Sequence, residues 1–266
     1  MIPVHDFFIA LVALHIVAGL PGLISFWAPI FAKKGGAGHR FWGRIFTASM
    51  LLTGCIAIMM STTTLIAPLP THPHLHDHPI FSQAAQIRGI FGWMMLYLAL
   101  LTINLAWYGW RAVRHRADHA RNRGPVNLAL QGLLGVAAVN CAIQGALIGQ
   151  PMMIGISFVG VAAVGTNLWF ILRPEPAFYE WRLEHIKAIV GAGISVYTAF
   201  LAFGAVRLAP QLALAPGLWA APMIVGLSLI FYHRRVVRLR YGKSEGAVVE
   251  AVKSLWRRSH GTYAKE

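Results

Sequence analysis

The run Phe7-Phe8-Ile9-Ala10-Leu11-Val12-Ala13-Leu14-His15-Ile16-Val17-Ala18-Gly19-Leu20-Pro21-Gly22-Leu23-Ile24-Ser25-Phe26-Trp27-Ala28-Pro29-Ile30-Phe31 decides the fold class. It holds no Asp, Glu, Lys or Arg, and it exceeds the roughly 20 apolar residues that a membrane-spanning helix needs. A basic loop follows at once: Lys33-Lys34-Gly35-Gly36-Ala37-Gly38-His39-Arg40-Phe41-Trp42-Gly43-Arg44. An apolar helix ending in such a loop reads as a transmembrane span with its cytoplasmic flank. The alternation recurs along the chain. Apolar runs at 7–31, 45–67, 89–109, 126–147, 151–172, 187–207 and 217–232 predict seven spans. Pro151 falls at the start of the fifth, where a missing N–H costs nothing.

Composition agrees with an all-α polytopic membrane protein. Of 266 residues, 57% are hydrophobic and 12% charged, against about 25% charged in soluble domains. Apolar surface on this scale cannot face water, and it also excludes a disordered chain. Cys55 and Cys141 are too few for a disulfide scaffold or a cysteine-built zinc site.

The basic residues orient the bundle. Loop 33–44, segment 110–125, segment 173–187 and the tail from 233 hold 21 of the 23 Lys and Arg. The alternate segments hold only Arg88 and Arg207. Seven crossings therefore predict the N-terminus outside and the C-terminus in the cytoplasm. The net charge of +14 is a topology signal, and no nucleic-acid partner is needed to explain it. Met1 to Asp6 lack a positive n-region, so no cleaved signal peptide is expected.

Residues 1–232 thus form the transmembrane domain and 233–266 a basic cytoplasmic tail. In that tail Val248, Val249, Val252, Leu255 and Trp256 recur at helical spacing, opposite Lys253, Arg257 and Arg258. This predicts a short amphipathic helix after Tyr241-Gly242, drawn to anionic lipid. Gly132, Gly135, Gly145 and Gly149 in the fourth span, Gly155, Gly160 and Gly165 in the fifth, and Gly191 and Gly193 in the sixth predict close approach of these three helices.

No acidic or basic residue lies well inside a predicted span, which argues against a carboxylate-driven pump. A retinal protein is excluded, because the seventh span has no lysine for a Schiff base. No phosphate-binding GK[ST] loop, G-x-S-x-G elbow or H-E-x-x-H helix occurs. Histidine remains. His15 lies within the first span, an expensive place for a polar group; its partner is a cofactor, or one of Asn104, Asn140 and Gln144. His185 stands at the inner boundary, on the same side as His39. Thr71-His72-Pro73-His74-Leu75-His76-Asp77-His78-Pro79 carries four alternating histidines. In an extended chain these share one side and could gather Cu or Zn. Met59-Met60, Met94-Met95 and Met152-Met153 lie nearby in depth and read first as core fillers.

His15-Ile16-Val17-Ala18-Gly19, the loop Lys34-Gly35 through His39-Arg40 to Gly43-Arg44, then Ser49-Met50, form a pattern with His185 to Gly191 and Thr198-Ala199-Phe200. This pattern resembles an uncharacterised bacterial family of predicted multi-pass membrane proteins, a domain of unknown function. The resemblance covers about the first 60 residues and 180–205, and implies a multi-pass bundle without implying an activity. Histidines on separate helices also give an architectural likeness to cytochrome b561-like bundles, which implies b-type haem and electron transfer. The paired-histidine spacing of those cytochromes is absent here.

Three functions follow as expectations. The first is a haem-binding redox protein using His15, His185 and His39. His15 and His185 differ in depth by roughly 15–20 Å and cannot share one iron. His15 would then pair with His5 or a loop histidine, and His185 with His39. The second is copper or zinc handling by His72, His74, His76 and His78. The third is an accessory subunit docking another membrane protein.

Overall fold

The structure, a computed structural model, describes residues 3–76, 83–204 and 216–260, with the backbone alone for 203, 204, 216, 219 and 243–260. It is helical throughout, with no strand among the described residues. Helix α1 (Val4–Ser25) breaks at Phe26 and resumes as α2 (Trp27–Phe31). Gly35, at φ 75°, reverses the chain; only glycine adopts that conformation without strain. Helix α3 (Ala37–Ile66) leads to α4 (Pro68–Thr71) and a 3-10 turn at Pro73–Leu75. Helix α5 (Ala84–Ile87) passes through a π-helical turn, Arg88–Met94, into α6 (Met95–Arg114). Then come α7 (Pro125–Leu147), α8 (Pro151–Leu172), α9 (Glu180–Ala199) and α10 (Pro216–His260).

Among the described residues six helical stretches are long and apolar enough to cross a membrane: Val4–Phe31, Ala37–Ile66, Ala84–Arg114, Pro125–Leu147, Pro151–Leu172 and Glu180–Ala202. They coincide with the first six predicted spans. The seventh, 217–232, falls within α10, a single helix of 45 residues. That helix continues unbroken through Tyr241-Gly242, where the sequence suggested a separate tail helix.

Helix α6 is the hub. It packs on α3, α7 and α9, while α1 leans on α3, α8 on α7, and α10 on α9. In its most apolar stretch 61% of residues are buried, against 17% in α1. Tyr97 locks α6 to α8: its hydroxyl donates to Ile156 O at 2.7 Å and accepts from the Gly160 N–H at 2.9 Å. A Cβ on Gly160 would lie 2.7 Å from the Tyr97 ring, so glycine is required there.

The expected glycine seam is narrower than predicted. Gly145 meets Met153, but Gly132, Gly135, Gly155 and Gly165 face open space. Gly149, at φ 68°, is a turn residue between α7 and α8. The glycines of the sixth span do not face the fourth and fifth; Gly191 packs on Leu105 of α6, and Gly193 on Phe26.

Candidate functional site: paired histidines at the basic end

The loops 32–36 and 115–124, with the start of α9 and the middle of α10, gather at one end of the bundle. At this basic end His39, in the first turn of α3, approaches His185 of α9. Their ring centres are 6.3 Å apart, with planes crossing at 66°. His39 Nδ1 lies 3.1 Å from the Pro29 carbonyl, and His185 Nδ1 lies 3.0 Å from the Gly109 carbonyl. A carbonyl only accepts, so each Nδ1 carries the proton; a neutral ring then presents its Nε2 lone pair. This is how metal-ligating histidines are held. Four elements cooperate: α3 and α9 carry the rings, and α2 and α6 supply the carbonyls.

The sequence placed His185 at a boundary before the sixth span. In the structure α9 begins at Glu180, so Glu184, His185 and Lys187 are helical and face the bundle. The sequence read these residues as a polar flank of the span, and the structure folds them into the first turns of α9. Glu184 is 8% exposed; it accepts from the Tyr108 hydroxyl at 2.7 Å and pairs with Lys187. Lys187 also donates to Thr166 Oγ1 at 3.1 Å and lies 5.5 Å from the Tyr108 ring centre. A charge this buried needs such partners. One turn deeper, Asn167 of α8 donates to Asn104 of α6 and Gln131 of α7, both at 3.2 Å. Sequence reasoning missed Gln131 and Asn167; lone carboxamides in apolar spans at similar depth were the available signal. Asn104 also donates to Leu130 O at 3.1 Å, so it is not the partner of His15.

His15 stands in the middle of α1 beside Thr53 of α3. Its Nδ1 and Thr53 Oγ1 are both buried without a hydrogen-bond partner. Among the described residues no second histidine meets it in a ring contact, unlike His39 and His185.

At the opposite end the loop coils. Pro73–Leu75 is a 3-10 turn, so His72, His74 and His76 do not lie on the extended chain that the sequence suggested. His72 turns inward, 7% exposed, between Phe8 and Phe91 with ring centres at 4.9 and 4.8 Å. Its Nε2 lies 3.3 Å from Thr64 Oγ1, and the His74 ring is 5.8 Å away. Burial, and then the neighbouring His74 and His5, push its imidazole down to about 4. His76 follows the turn, and His78 lies outside the described residues. Among the described residues no three His, Cys, Asp or Glu side chains are grouped to hold a metal ion.

No protein-family model, no curated protein and no solved structure matches this chain.

Proposed function

We propose that this is a multi-pass protein of the bacterial cytoplasmic membrane that holds b-type haem between His39 and His185 and serves in electron transfer. The observation carrying this reading is the pair itself: two imidazoles from distant parts of the chain, 6.3 Å apart at their centres. Two nitrogens on one metal stand about 4 Å apart, with each bond near 2 Å. Ring centres lie behind their nitrogens, so the observed spacing suits one ion between the two rings.

The donor set favours haem over a bare ion. A structural metal site takes four ligands, mostly from protein, whereas a haem iron asks the protein for only one or two axial groups. Bound haem would supply one-electron chemistry. The chain's part is to fix both tautomers through Pro29 and Gly109, and to set the rings on separate helices within a low-dielectric bundle.

The basic end is then cytoplasmic, with α10 as the seventh crossing and the N-terminus outside. Purification in detergent with visible spectroscopy and iron analysis tests this. The expected result is about one haem per chain, lost or made five-coordinate in His39→Leu and in His185→Leu. Wild-type protein that neither contains nor takes up haem would overturn the assignment.

A further inference from the structure

Between α2, α9 and α10 the packing leaves a cavity of about 190 Å³. Its walls are carbon, from side chains such as Phe26, Ile194, Val225 and Leu229. The polar atoms within reach are already satisfied: Trp27 Nε1 donates to the Tyr197 hydroxyl at 2.7 Å, and that hydroxyl donates to Leu23 O at 2.7 Å. A polar guest would lose hydrogen bonds to water and find none here. Hydrocarbon would lose nothing.

The slot leads toward a cation. On α10, Pro222, Val225, Gly226 and Leu229 line it at helical spacing, and His233 is one turn beyond on the same face. On the other wall, the chain leaving α2 folds back so that Lys34 donates to the Pro29 carbonyl at 2.9 Å and to the Ile30 carbonyl. An ammonium has three donors, so one remains for a ligand. Lys34 and His233 are close enough to interact electrostatically. Among the described residues no acidic side chain lines the slot.

We propose that this slot seats one acyl chain of an anionic phospholipid, with its phosphate held by Lys34 and His233. Charge complementarity selects this occupant. A second copy of the chain in the same membrane would bring its own basic end level with this one, and like charges would repel. A phospholipid brings hydrocarbon at the depth of the slot and a negative group at the depth of Lys34. Seated there, it would tie α10, which packs mainly on α9, to α2. Lys34 shares the Pro29 carbonyl with His39, but the lipid proposal is argued from the slot and its flanking charge and is read by lipid retention, whether or not haem is bound.

Native mass spectrometry of the full chain, released from nanodiscs of equal phosphatidylglycerol and phosphatidylcholine, tests the proposal. Wild type should retain phosphatidylglycerol about fivefold over phosphatidylcholine, the factor expected for one basic residue near a lipid phosphate. Lys34→Gln should remove that preference. Val225→Trp should fill the slot and displace both lipids; Val225 is 49% exposed, so the larger ring can be accommodated without unfolding the bundle. Equal retention of the two lipids by wild type, or undiminished lipid on Val225→Trp, would overturn the proposal. Ala221→Trp provides a second filling variant, with the same expected loss.

Discussion

The two ends of the bundle both carry histidines, but the surroundings put them to opposite uses. At the basic end, His39 and His185 bond backbone carbonyls through Nδ1 and keep Nε2 for another partner. At the far end, His72 is enclosed by Phe8 and Phe91, with Nε2 turned to Thr64. The first arrangement orients a lone pair; the second consumes the ring as packing. Histidine count alone points to the far end, where four alternate over seven positions. Hydrogen bonding points to the basic end, where two residues far apart in sequence meet.

The largest effect on stability should come from the ion pair beside the basic-end histidines. Glu184→Leu leaves Lys187 buried with only Thr166 and the Tyr108 ring face, and breaking such a pair costs about 3–5 kcal/mol. Denaturant or thermal unfolding in detergent should register that loss, and Glu184→Gln, which retains a partner for Tyr108, should lose less. A near-neutral Glu184→Leu would mean that water already solvates the pair.

The far end should respond instead to pH. His72 is held down at about 4 in the fold and titrates near 6.5 when unfolded. Between these values the unfolded chain binds the extra proton, so stability falls as pH drops from about 6.5 to about 4. The full window corresponds to about 3 kcal/mol. His72→Phe should flatten this slope. A slope unchanged in that variant would place the acid sensitivity elsewhere.

Smaller effects sharpen the contrast further. Asn167→Leu removes two interhelical hydrogen bonds, and bonds of this kind in membranes average about 0.6 kcal/mol each. Unfolding should register a loss near 1 kcal/mol, because the bonds tie α8 to α6 and α7. His15→Leu should change stability least, by about 1 kcal/mol or less, because its Nδ1 has no hydrogen-bond partner and what the ring loses is its contact with the Thr53 backbone. Haem content should be unaffected by His15→Leu; loss of haem there would move the cofactor to α1.

The spans were legible because lipid requires long apolar helices, and the run from Phe7 to Phe31 is free of charge. The start of α9 was not. Glu180, Arg182, Glu184 and Lys187 look like a polar loop until Tyr108 and Thr166 are brought beside them, and those partners lie on other helices. The pairing of His39 with His185 could be stated from their shared side of the membrane, but not its geometry, which depends on carbonyls from α2 and α6. The histidine loop departs from its extended reading for a local reason. Pro73 starts a 3-10 turn, and the period of two in sequence has no counterpart in that backbone. Glycine spacing likewise overstated packing, because four of the glycines in α7 and α8 meet no side chain.

The most direct test of the basic-end pair is the spin state of iron in the purified, oxidised protein. Two axial imidazoles should give a low-spin ferric electron paramagnetic resonance signal in wild type. His39→Leu and His185→Leu should each convert it to high spin or abolish it, while His72→Phe leaves it intact. A high-spin signal in wild type, or a low-spin signal that survives both single replacements, would contradict the account.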